Sequence, residues 1–141
     1  MTWKEAKEKN IQELLKLAEN NTILAPPCCN DVTLDLFNMC FHLWNTNNRD
    51  FSDYASKNYP EIKSEDIAEL ENYLSDAHKY LINICCVFAG IYRSYGNPRY
   101  NYNDDQKYCD ILIRTCLRRY PWLTEEYINE NLWQICRLCN W

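Results

Sequence analysis

Nine cysteines and two histidines are the side chains of this sequence best suited to chemistry. Cys136 and Cys139 make a C-x-x-C, and Cys109 and Cys116 stand two helical turns apart, so each pair shares a face if its segment is helical. Cys85 and Cys86 follow His78 at similar spacing. Four such groups could close a tetrahedral zinc site, which takes thiolate and imidazole ligands at about 2.0–2.3 Å. Against that reading, the paired C-x-x-C…C-x-x-C of zinc ribbons and fingers is missing. Every one of these cysteines also falls on an apolar helical stripe, where a thiol behaves as a small hydrophobe. They are therefore expected in the core, with no metal and no cofactor.

Cys28-Cys29 differs, because it follows Pro26-Pro27 in a connector. A reactive thiol there would need its pKa lowered by a cation or a helix N-terminus, and a helix is predicted two residues on. The alternative is a connector that tucks its thiols under neighbouring helices. His42 and His78 are the only imidazoles available to a Cys–His nucleophile pair. No G-x-S-x-G, H-E-x-x-H or Gly-rich phosphate loop is present. Asp104-Asp105 and Glu125-Glu126 fall in predicted first turns, where carboxylates complement the helix dipole. A small Cys-dependent or metal-binding enzyme is thus the third reading, and the chain is expected not to be an enzyme.

Binding chemistry is better represented. Tyr92, Arg93, Tyr95, Arg99, Tyr100 and Tyr102 crowd one helix end and the loop after it, interleaved with Ser94, Asn97 and Asn101. Tyrosine offers large rigid contact area and arginine forked hydrogen bonds, the mixture enriched in protein-binding hot spots. Arg114, Arg118 and Arg119 on the next helix extend the patch. The same residues could stack bases and hold phosphates, so single-stranded RNA is the alternative partner. A structural reading also exists, in which Tyr92 and Tyr95 finish a core stripe.

Charge supplies a second surface. Residues 1–85 hold eight basic and fourteen acidic side chains, and residues 86–141 hold seven and six. The net charge of −5 is not the footprint of a duplex-DNA binder. Glu61, Glu65, Asp66, Glu69 and Asp76 line the outer side of one helix. Such a row is either a solvated face or a surface that steers the chain to a basic partner protein.

The elements that must position these groups are helices. Ile67, Leu74, Leu81, Phe88 and Tyr95, alternating with Leu70, Ala77, Ile84 and Ile91, form an apolar heptad stripe. It predicts one helix over about 64–95, started by Ser64, Glu65 and Asp66 and stopped by Gly96-Asn97-Pro98. Further helices are predicted at about 3–20, 31–44, 51–58 and 103–120, and from Thr124 onward. Leu123 and Ile128 there are placed as a hydrophobic staple. With Gly90 and Gly96 the only glycines, tight hairpins and phosphate-cradling turns are excluded.

The expected fold is all-α: a single domain over 1–141, with five to six helices around one long central helix. The stripe could instead face a second copy of itself, as a homodimer. No apolar run reaches membrane-spanning length, and the charged segment after Met1 lacks a signal core. A cytoplasmic protein with reduced cysteines is expected. Its expected role is non-enzymatic: an inhibitor, immunity or anti-defence protein, or an assembly chaperone, that occludes a basic partner.

Overall fold

In the computed structural model the described residues are 3–19, 22–28, 30–41, 49–93 and 102–132. Among them the only regular secondary structure is helical, without strands. The order is α1 (Trp3–Glu19), a 3-10 turn (Asn30–Val32) leading into α2 (Thr33–Cys40), α3 (Phe51–Asn58), α4 (Ser64–Arg93), α5 (Tyr102–Arg119) and α6 (Glu125–Tyr127). The last runs directly into a π turn, Ile128–Leu132.

The heptad stripe organises the bundle. At about 1.5 Å per residue the 30 residues of α4 span roughly 45 Å. Ile67, Leu70, Leu74, Ala77, Leu81 and Ile84 are each less than a tenth exposed. The chain's own helices cover them, because α4 packs against α1, α3 and α5. Leu14 from α1, Leu36 and Phe37 from α2, and Leu112 and Cys116 from α5 join the same core. Burying one such leucine contributes about 1.5–3 kcal/mol, so the stripe is a leading source of stability.

Helix ends follow local chemistry. Asp50 caps α3 by accepting from the Asp53 amide at 2.9 Å. Thr124 caps α6 as its position predicts, its hydroxyl accepting from the Tyr127 amide at 3.1 Å. Two ends depart from the sequence expectation. The helix expected to reach Trp44 stops at Cys40, where Phe41 leaves helical geometry. That exit sets the Phe41 ring 6.2 Å from Phe37 and 6.0 Å from Phe51. The Arg49 amide then returns to the Met39 carbonyl, which the helix leaves unpaired. After Thr124 a regular helix is expected, yet among the described residues a single α turn passes into a π turn at Ile128. The Asn131 side-chain amide donates to the Tyr127 carbonyl at 3.0 Å. That carbonyl is the one an i→i−4 ladder would give to the Asn131 backbone, so the turn widens.

The connector from α1 to α2 is held by its main chain. The Leu24 amide donates to the Arg119 carbonyl at 2.8 Å, and the Tyr73 hydroxyl donates to the Leu24 carbonyl. The Trp122 indole N–H completes the relay by donating to the Tyr73 oxygen at 2.8 Å. Among the described residues, no helix is long and apolar enough to cross a membrane.

Candidate binding groove between α1 and α5

The three arginines of α5 divide between two environments. Arg119 turns inward, its guanidinium carbon 4.0 Å from the centre of the Tyr80 ring and 5.6 Å from that of Tyr120. Its Nε also donates to the Tyr120 hydroxyl at 3.3 Å. Arg114 and Arg118 turn outward and are exposed. Arg114 donates to the Asp110 carbonyl of its own helix, at 3.3 Å. Neither outward arginine pairs with a described carboxylate. The split follows from helical spacing. Positions 114 and 118 share a face, whereas 119 is turned about 100° from 118, toward α4.

Arg114 and Arg118 edge an open groove of about 590 Å³. Its α1 side is Leu15, Ala18 and Glu19, and its α5 side adds Ile111 and Thr115. Leu15, Ala18 and Ile111 are half-buried and form an apolar floor. Thr115 is buried, with its hydroxyl donating to the Ile111 carbonyl at 2.6 Å. Glu19 is exposed on the opposite rim. The groove lies where α1 packs against α5, with the small Ala18 side chain in its lining. A smaller cleft of about 390 Å³ lies at Ala25, Pro26, Asp31, Pro121 and Trp122, beside exposed Ile23.

The sequence-based patch is placed only in part. Tyr92 and Arg93 close α4 and Tyr102 opens α5. Tyr95, Arg99 and Tyr100 lie outside the described residues. The acidic row is on the surface: Glu61, Glu65, Glu69 and Asp76 are exposed and Asp66 is half-buried. None of these carboxylates pairs with a described lysine or arginine. The groove's apolar floor was missed in the sequence, although Ile111 carried a signal. It is an aliphatic residue outside the Cys109-Leu112-Ile113-Cys116 stripe of its helix.

The groups able to do chemistry are placed as follows. His78 is half-buried beside the rings of Phe37 and Phe41, at 6.4 and 6.2 Å, and burial lowers its pKa. The Cys40 thiol is pushed up to about 11, first by burial and then by the Asp35, Asp50 and Glu71 carboxylates, so it stays protonated. Cys85 and Cys116 are buried and Cys28 is half-buried, whereas Cys86, expected in the core with them, is exposed because it stands one position off the α4 stripe. Among the described residues no three His, Cys, Asp or Glu side chains gather as metal ligands. Cys29, His42, Cys136 and Cys139 lie outside the described residues.

A polar cluster ties α2 to α3. Asp35 accepts from the Tyr54 hydroxyl at 2.9 Å and from the Tyr59 hydroxyl at 2.5 Å. The hydrogen bond to Asp35 pushes the Tyr59 phenol up to about 12, with burial adding to it. The Tyr127 hydroxyl, by contrast, is buried with no hydrogen-bond partner among the described residues, and burial raises its pKa.

No protein family, characterised protein or solved structure matches this chain.

Proposed function

We propose that this chain is a non-catalytic binding module whose α1–α5 groove anchors a partner protein. One observation carries the reading: an apolar floor stands open between two helices, edged by two arginines without a described carboxylate partner. Concave sites with an apolar floor and a few charged groups at the rim are where partners are often held. The exposed carboxylates of Glu65, Glu69 and Asp76 steer the approach by drawing a basic part of the same partner toward α4. Binding of this kind blocks the partner by occlusion, the mode of an inhibitor, immunity or anti-defence protein. The cysteine-rich composition favours a reducing, cytoplasmic setting.

Nucleic acid is less favoured at this place. Among the described residues, Tyr120 is buried and Tyr80 half-buried against the core, so these two rings offer no open base-stacking platform beside Arg114 and Arg118.

The test is a pull-down from the native host, comparing the natural chain with Ala18→Trp, which fills the groove. The expected result is a protein captured by the first and lost with the second, at unchanged thermal midpoint. Equal capture by both overturns the reading. Reversing Glu65, Glu69 and Asp76 to lysine should slow association and flatten its salt dependence, while leaving dissociation nearly unchanged.

A further inference from the structure

We infer that the segment seated in the α1–α5 groove is an acidic amphipathic helix, with two carboxylates one turn apart along one flank. The inference rests on the reading above that the groove anchors a protein.

The shape of the floor argues for a helix. Leu15 and Ala18 on α1, and Ile111 and Thr115 on α5, repeat at helical intervals on two rods packed side by side. The seam between two such rods accepts a third, whose side-chain ridge fills the valley. Helix-in-groove recognition uses this arrangement, with anchors at i, i+3 or i+4, and i+7. From Ile111 to Arg118 the α5 edge is roughly 10 Å long, so about two turns of an incoming helix would span it.

Charge then selects the flank. Arg114 and Arg118 are one turn apart and face solvent, and neither is spent on a described carboxylate. Two acids at i and i+4 on a helix lying along α5 come opposite both guanidiniums, which bind carboxylates in forked pairs. Exposed pairs of this kind add little energy each, so they fix orientation while the apolar anchors supply affinity. Glu19 on the far rim repels a second acidic row. The incoming helix therefore carries acids on the α5 side only, with neutral or basic residues toward α1.

The experiment is selection of a random 16-residue peptide display library on the full chain, with counter-selection on Ala18→Trp. Expected winners have a helical apolar stripe and two Asp or Glu one turn apart. The best peptide is then titrated by fluorescence anisotropy. Changing its two acids to Gln should weaken binding at least fivefold. The protein variant Arg114→Gln/Arg118→Gln should bind the acidic and Gln peptides alike, with its thermal midpoint unchanged. Winners that are basic, extended or absent overturn the inference. So does displacement of the peptide by a thymidine oligonucleotide or by decanoate at concentrations where the Gln peptide fails to compete. Capture of a host protein that depends on the groove, together with failure of every acidic helix, removes this inference and leaves the proposed function standing. Loss of both removes both.

Discussion

Arg119 and Tyr80 join the last turn of α5 to the middle of α4, with the guanidinium carbon 4.0 Å from the ring centre. The ring is half-buried, and burial pushes its phenol up to about 12 despite the nearby cation. A cation held over an aromatic face contributes about 0.5–2 kcal/mol, depending on how dry it is. Arg119→Ala should therefore lower unfolding free energy by about 1–2 kcal/mol, through lost stacking as well as lost charge. Arg114→Ala and Arg118→Ala should stay within about 0.5 kcal/mol of the natural chain, as exposed substitutions do. Urea denaturation of the three variants checks the split, and equal losses in all three would contradict it.

Tyr127 carries a buried hydroxyl that finds no hydrogen-bond partner among the described residues. Leaving such a group unsatisfied costs about 1–3 kcal/mol. Tyr127→Phe keeps the ring beside Phe37, 6.0 Å between centroids, and removes the orphan. It should be neutral or stabilising by about 1 kcal/mol in thermal and chemical unfolding. Tyr127→Ala should instead lose about 3–5 kcal/mol through the cavity it opens.

His78 makes stability depend on acid. Burial against Phe37 and Phe41 lowers its pKa below the ordinary 6.5. Between the two values the unfolded chain binds a proton that the folded chain refuses, so unfolding is favoured as pH falls. Stability from this group is fully present above 6.5 and declines below it as pH drops toward the folded-state value. His78→Gln should flatten that part of the profile in a thermal-midpoint series across mildly acidic pH. An unchanged slope would place the acid sensitivity elsewhere.

Asp35 should control the alkaline limb. The Tyr59 phenol, raised to about 12 chiefly by its bond to Asp35, keeps its proton longer in the fold than in the unfolded chain. The resulting stability is present below pH 10 and is lost as pH climbs toward 12. In Asp35→Ala the phenolate absorbance of Tyr59 should appear nearer its ordinary value of 10. The same variant should lose about 1–2 kcal/mol at neutral pH, because water can replace part of the lost acceptor for both tyrosines.

How far the chain could be read from its letters varied with the range of the forces involved. The α4 stripe from Ile67 to Ile84 and the Thr124 cap were legible because periodicity and capping are local, and both reappear in the fold, while the side chains of Phe88, Ile91 and Tyr95 lie outside the described residues. The exit of α2 at Phe41 was not legible. It depends on a ring contact with Phe51 and a bond from Arg49 to Met39, partners ten residues away. Arg114, Arg118 and Arg119 looked alike in sequence, and only the position of α4 sends the third inward. The groove needed Ala18 and Ile111 side by side, a juxtaposition of residues more than ninety positions apart. The Asp35 cluster was invisible for the same reason.

The main-chain hold on Leu24 has a mechanical consequence. Its amide stops one of the carbonyls that the end of α5 would otherwise leave open, so a residue from the first fifth of the chain fastens a helix near its far end. Tension applied to α1 would thus reach the tail of α5 before it reached α2. Unravelling from the amino-terminal side should proceed as one yielding event that frees both rods together, rather than by stepwise peeling.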